Sequence, residues 1–146
     1  MYNIANKGSK VMNILLFLKE KKELVYTYST DNLLELFEKF STYRYSYIPV
    51  ITKSNEYIGS ISQGDVLDYI VTNGLTRDKF KTIMVRDIPR KRDNAPIHAD
   101  QEMKELLMCS IDANFVPVLD ANDKFIGIIT RKQIIDYFFE HNLFTI

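Results

Sequence analysis

Tryptophan is absent from this chain, cysteine occurs once (Cys109), histidine twice (His98 and His141), glycine five times and proline four times in 146 residues. One cysteine excludes an internal disulfide and suits a reducing compartment, the cytoplasm. So few thiols and imidazoles also leave a structural zinc site without a ligand set. Charge of one sign is lacking: nineteen basic and nineteen acidic side chains give a formal net charge of zero. That balance disfavours wholesale electrostatic binding to nucleic acid or to an anionic membrane. The longest apolar run, Ile14 to Leu18, is far too short to cross a bilayer. Residues 1–11 carry Lys7 and Lys10 but neither a long apolar stretch nor a small-residue cleavage site, so they read as an N-terminal extension and not as a signal peptide. What is present is apolar content, 46% of residues against 26% charged. Such a chain folds instead of remaining disordered.

The chain repeats itself once. Ile48-Pro49-Val50 returns as Val116-Pro117-Val118, 68 residues later, and Tyr57–Ser62 returns as Phe125–Thr130 at the same offset. Val66-Leu67-Asp68-Tyr69-Ile70 matches Ile134-Ile135-Asp136-Tyr137-Phe138, again 68 apart, whereas Glu35-Leu36-Phe37 matches Glu105-Leu106-Leu107 at 70. The first copy is therefore two residues longer between its helix and its proline-containing strand. We read this as duplication.

Each copy carries the same order of patterns. Leu33, Leu34, Leu36, Phe37 and Phe40 recur at helical spacing, with Thr30 and Asp31 placed to cap the helix start. Tyr47–Thr52 and Tyr57–Ser62 read as strands around the turn Lys53–Glu56, with Asp120–Lys124 the corresponding turn. A closing helix places Val66, Leu67, Ile70 and Val71 on one face, mirrored by Ile134, Ile135, Phe138 and Phe139. Short strands at Glu23–Tyr28 and Ala95–His98 complete two β-α-β-β-α units. The expected class is α+β, two pseudo-symmetric repeats packed through their sheets, because one unit of roughly sixty residues buries too little surface alone. The expected divisions are an extension at 1–11, a first repeat at 12–71 led by a helix at Asn13–Lys21, a linker at 72–94 and a second repeat at 95–146.

Each strand-to-helix corner places a hydroxyl three residues before a polar side chain: Ser62 with Asp65, and Thr130 with Gln133. This is the spacing of a capping box. The same geometry also suits a nucleotide, since a carboxylate accepts from both hydroxyls of a ribose, and a helix start favours phosphate. Gln133 keeps the cap without the charge, so the Asp65 corner is the better ribose site.

The duplicated unit, the I-P-V segment, the Y-I-G-x-I-S strand and the G-x-x-[ST]-x-x-D corner together resemble a tandem pair of CBS domains, a Bateman module, over Leu24–Phe139. Asp87-Ile88-Pro89-Arg90 and Asp93–Ile97 are similar to stand-alone bacterial CBS-pair proteins, in which Met12-Asn13-Ile14 would be the start. The resemblance implies a non-catalytic regulatory module that binds an adenine nucleotide of AMP, ADP or ATP type in a cleft between repeats and signals by conformational change. A cyclic di-AMP sensor and a ligand-free dimerisation or assembly module are the alternatives.

Carried over residue by residue, one cleft would hold Ser60, Ser62 and Asp65 with Asn94, Ala95, Pro96 and Asn114. Its mate would hold Val25, Tyr26, Tyr45 and Ser46 with Ile128, Thr130 and Arg131. Two departures stand out: Gln133 replaces the family's ribose-binding aspartate, and Ser46-Tyr47 and Asn114-Phe115 stand where a basic pair often precedes the Pro-Val strand. Phosphate recognition would then fall to Arg92, whose planar fork holds two oxygens, with Arg44, Arg131 and Lys132 also available. Arg90-Lys91-Arg92 reads equally as a solvated linker flanked by Asp87 and Asp93.

Tyr43, Tyr45 and Tyr47 alternate, as core or interface, or with Tyr45 stacked on an adenine. Cys109 sits among Leu106 and Leu107 and reads as a buried, inert thiol. No nucleophile, base and orienting group recur together, so catalysis, metal and cofactor are not expected. The expected partners are the nucleotide, a regulated protein, and a second copy of the chain, joined through the aromatic run Tyr137-Phe138-Phe139 and Leu143-Phe144.

Overall fold

Each copy forms the β-α-β-β-α order that its residue pattern specifies. The structure, a computed structural model, describes residues 13–141. The expected extension at 1–11 and the pair Leu143-Phe144 lie outside the described residues. Along the chain run 3-10 turns at Ile14–Phe17 and Lys21–Glu23, with β1 (Lys19–Glu20) between them, then β2 (Thr27–Tyr28), α1 (Leu33–Thr42), β3 (Tyr47–Ile51), β4 (Tyr57–Ser62) and α2 (Gln63–Thr72). Two more 3-10 turns, Arg77–Thr82 and Val85–Asp87, lead to β5 (Ile97–His98), α3 (Met103–Asp112), β6 (Phe115–Leu119), β7 (Phe125–Thr130) and α4 (Arg131–Glu140). One sheet has the order β2-β3-β4 and the other β1-β7-β6-β5.

The duplication extends to backbone detail. Thr27 and Tyr28 lie parallel to Val50 and Ile51, as Ile97 and His98 do to Val118 and Leu119. Both hairpins shift register once, between Val50 and Ile51 and between Val118 and Leu119. Each turn passes one positive-φ residue, Asn55 at 70° and Asp123 at 60°, the residue types that tolerate the left-handed region. The two extra residues of the first copy fall between α1 and β3, where Tyr43–Ser46 replaces Ala113-Asn114.

Proline in the middle strand of each sheet has a positional reason. Pro49 lies opposite Ser60, whose N–H points away from β3 to Asp93. The pair is thus one of those not hydrogen-bonded to each other, and the missing donor of Pro49 faces the β2 side. There β2 begins pairing only at Val50. Pro117 stands opposite Ile128 in the same way, and the pairing of β5 with β6 begins only at Val118.

Two compact units form among the described residues, one of Val25–Asp93 and one that joins residues 13–24 to residues 94–141. In the first, Leu33, Leu36, Ile48, Val50, Ile61 and Val66 bury together with Phe80, Val85 and Ile88. The last three lie in the segment expected to be a linker at 72–94. Leu33 N–H donates to Ile83 carbonyl at 2.8 Å and Val85 N–H to Asp31 carbonyl at 2.8 Å, which ties that segment to the repeat. It is therefore an integral part of the first unit, because each such apolar side chain gains about 1.5–3 kcal/mol on burial.

The leading segment is also corrected. Residues 13–21 form one 3-10 turn and β1 instead of a helix, and they belong with the second repeat. Ile14 and Phe17 bury against Ile97, Met103, Leu106, Val116, Val118, Ile129, Ile134 and Phe138. Lys19 and Glu20 pair antiparallel with Ile128 and Gly127, and the Phe17 ring meets Tyr137 edge-on at 4.9 Å. The first compact unit thus begins at Val25, and residues 13–24 belong with the other unit.

The α1 cap falls one residue later than expected. Asn32 accepts from Glu35 N–H. Asp31 turns back, where one carboxylate oxygen accepts from Tyr28 N–H (2.9 Å), Thr27 hydroxyl (3.1 Å) and Lys39 ammonium (3.4 Å).

Candidate functional site

A strand that ends in serine and runs straight into a helix leaves the first helical N–H groups to be satisfied locally. At the end of β4, Ser62 Oγ accepts from Asp65 N–H at 3.0 Å and Asp65 Oδ2 accepts from Ser62 N–H at 3.0 Å, a closed capping box. Thr130 and Gln133 close the matching box at α4. The local-chemistry reading of these corners is therefore realised.

The two corners differ in what else they hold. Asp65 is only 4% exposed, and its second oxygen, Oδ1, accepts from Lys91 N–H at 3.3 Å. Each carboxylate oxygen thus has one amide donor and a lone pair in hand. Gln133 spends its Oε1 on both the N–H and the hydroxyl of Thr130. A neutral amide so engaged offers a diol no pair of equivalent acceptors.

The helix start is less open to phosphate than the sequence suggests. Gln63 N–H donates to Ser46 carbonyl at 3.0 Å, and Asp65 N–H to Ser62. The corresponding Arg131 N–H donates to Asn114 carbonyl at 2.9 Å. These bonds also show which residues adjoin each corner. Tyr45 and Ser46, assigned by resemblance to the mate, sit beside the Asp65 corner, where Gln63 Nε2 also donates to Tyr45 carbonyl at 3.1 Å. Asn114, assigned to the Asp65 cleft, sits beside Arg131, and the two line an open concavity of about 450 Å³ with Lys132, Ile135 and Asp136.

Ser60 is fully buried, its hydroxyl bonded to Tyr57 at 2.6 Å. Asn94 is buried and its Nδ2 donates to Phe115 carbonyl at 3.0 Å. Ala95, Pro96 and Arg92 are exposed, Val25 and Tyr26 half-buried, and so are Ile128 and Thr130. Tyr43 and Tyr45 are exposed and stack on each other, ring centroids 6.4 Å apart.

The cations divide by role. Arg90 bonds Asp93 through Nε at 2.9 Å and Ile58 carbonyl through Nη2 at 3.1 Å. Lys91 ammonium pairs with Asp68, and that bond holds it above the usual lysine range. Lys132 is raised likewise by Asp136. Arg131 donates to the carbonyls of Ser110 (2.7 Å) and Ile111 (3.3 Å) and so caps the end of α3. Sequence reasoning missed the contribution of Lys91 at this corner, since a backbone N–H leaves no mark in a side-chain pattern.

Burial and the neighbouring Glu105 push the Cys109 thiol up, away from thiolate chemistry. His98 meets the Asp123 carboxylate of the second hairpin turn on the surface. Among the described residues no three His, Cys, Asp or Glu side chains could hold a metal ion, and no helix is long and apolar enough to cross a membrane.

Comparison with known proteins gives the same architecture. The CBS domain family model matches residues 20–72 and 82–140. The solved CBS domain protein of Streptococcus pneumoniae TIGR4 is 28% identical, with a TM-score of 0.77 over 89% of this chain and 88% of that one. CbpB, solved in complex with c-di-AMP, is 24% identical, with a TM-score of 0.81 over 91% of this chain and 89% of that one, a likeness of fold. An uncharacterized protein of Methanopyrus kandleri is 23% identical over 117 residues, which make up 79% of this chain but only 58% of the relative's length. With both repeats matched, the chain belongs to the CBS domain family, as a tandem pair.

Proposed function

We propose that the protein is a non-catalytic regulatory module that binds an adenine nucleotide at the Asp65 corner. The observation that carries this reading is the buried Asp65 carboxylate, held by one amide on each oxygen. A carboxylate so fixed presents one further lone pair per oxygen, the arrangement a vicinal ribose diol needs. Ser60, Ser62, Tyr45 and Ser46 surround it in this reading, and Arg92, Asn94, Ala95 and Pro96 complete the site by family resemblance. Ligand binding would favour one arrangement of the module and so be reported to a regulated protein. The c-di-AMP complex of CbpB supports nucleotide binding as the general function. A cyclic dinucleotide has only a 2′-hydroxyl to offer, so AMP, ADP or ATP is the better match to Asp65. A cytoplasmic location accords with the single thiol.

Calorimetry with AMP, ADP, ATP and cyclic di-AMP tests this. The expected result is binding of an adenine mononucleotide, weakened about tenfold or more by Asp65→Asn through loss of charge-assisted bonds. Absence of heat with all four ligands overturns it.

A second reading, assembly of two copies, has its own observation. Leu67 and Val71 on α2, and Ile135 and Phe139 on α4, are 61%, 70%, 48% and 72% exposed. Apolar stripes at matching positions of both repeats are what a self-complementary interface requires. The two readings are compatible.

A further inference from the structure

The outer edge of β4 is closed by side chains. An unprotected edge presents alternating N–H and C=O groups to any passing strand. Here Ser60 N–H donates to Asp93 Oδ1 at 2.9 Å, and Ile58 carbonyl accepts from Arg90 Nη2 at 3.1 Å. Arg90 Nε donates to the same Asp93 oxygen at 2.9 Å, so the donor and the acceptor that meet the strand are themselves an ion pair. The pair does for β4 what the backbone of β1 does for β7. Gly59 makes the approach possible, because a Cβ there would overlap both Asp93 and Arg90.

Between these anchors lies Lys91, with its backbone N–H on Asp65 Oδ1 and its ammonium on Asp68. We propose that Arg90 and Asp93 are positioning residues for the nucleotide corner. By clasping the edge of β4 they set the Lys91 N–H against Asp65 and so fix the direction in which its remaining lone pairs point. The capping box alone holds only Oδ2. The clasp therefore turns a helix cap into a two-point acceptor, and this rests on the reading that Asp65 takes a ribose.

The test uses the full chain with Asp93→Ala and, as the conservative variant, Asp93→Asn, which keeps an acceptor for Ser60 N–H. Three quantities are read: amide exchange at Ser60 and Lys91, the carboxyl carbon resonance of Asp65 without ligand, and the dissociation constant for AMP. Asp93→Ala should speed exchange at both amides about tenfold or more, move the Asp65 resonance and weaken AMP about tenfold, with partial recovery in Asp93→Asn. Unchanged Lys91 exchange and an unmoved Asp65 resonance overturn the clasp, whatever AMP does. A moved resonance with unchanged AMP affinity overturns its positioning role. If the wild-type chain ignores AMP while the resonance still moves, the clasp stands and the ribose reading fails.

Discussion

Gly59 and Gly127 occupy the same place in two copies of one hairpin, yet each makes room for a different neighbour. Over Gly59 lie the side chains of Asp93 and Arg90, over Gly127 the carbonyl of Lys19. A side chain can swing aside and a paired backbone cannot. Gly127→Ala should therefore cost about 3 kcal/mol and Gly59→Ala about 1 kcal/mol, the two ends of the overpacking range. Urea unfolding of the two variants checks the order, and equal losses would contradict it.

Asp31 predicts a pH dependence. Burial alone would raise its carboxyl, but the Tyr28 N–H, the Lys39 ammonium and the Thr27 hydroxyl outweigh that and hold it below the ordinary 3.8. A folded value below the unfolded one gives stability that is present above 3.8 and lost as pH falls through the folded value. Asp31→Asn should cost about 1–2 kcal/mol at neutral pH and flatten the acid limb of a stability-versus-pH curve. Glu35 opposes this, since burial and the nearby Asp31 raise its carboxyl. That contribution falls as pH rises from 4.5 through the raised value, so Glu35→Gln should remove this decline and leave the acid loss below 3.8 in place.

Asp65 serves the fold as well as the proposed ligand. Asp65→Ala removes half of a capping box and the acceptor for Lys91 N–H, so a loss of about 1–2 kcal/mol is expected. Thermal unfolding without nucleotide measures it. An unchanged midpoint would mean that the helix start is satisfied by other means.

Arg131 should behave as a cap and not as a phosphate ligand. Its guanidinium meets the last carbonyls of α3, so Arg131→Ala should lower stability by about 1 kcal/mol and leave AMP affinity within about twofold. A large loss of affinity at unchanged stability would reverse the assignment.

The exposed stripes predict self-association. Sedimentation should find a dimer, and Val71→Glu with Phe139→Glu should shift it to monomer, because a charge in a buried apolar interface carries a large desolvation penalty. A monomeric wild type would remove the assembly reading.

The features legible beforehand were those written in local spacing. The capping boxes at Ser62 and Thr130, the two hairpins and the extra pair of residues before β3 all follow from short-range pattern. Tertiary partnership was not legible in the same way. Ile14 and Phe17 are plainly apolar, but nothing in their spacing says that they pack with Ile97 and Leu106 instead of the nearer repeat. Phe80, Val85 and Ile88 sit among charged residues without helical or strand period, so their burial was hidden in a polar stretch. At the site, the side chain of Asp65 was visible, whereas the Ser46 carbonyl on Gln63 N–H and the Lys91 N–H on Asp65 are backbone events with no residue signature.

The prolines of the two middle strands limit how far the parallel ladders can grow. Without an N–H at Pro49 or Pro117, β2 cannot zip upstream past Thr27, nor β5 past Ile97. Val25-Tyr26 and Ala95-Pro96, which precede those strands, keep a conformation set by something other than sheet pairing. Two ring-locked residues thus keep these stretches, which family resemblance assigns to the proposed site, out of the ladders, and exchange of Pro49 for valine would invite one more rung and begin to close the first of them.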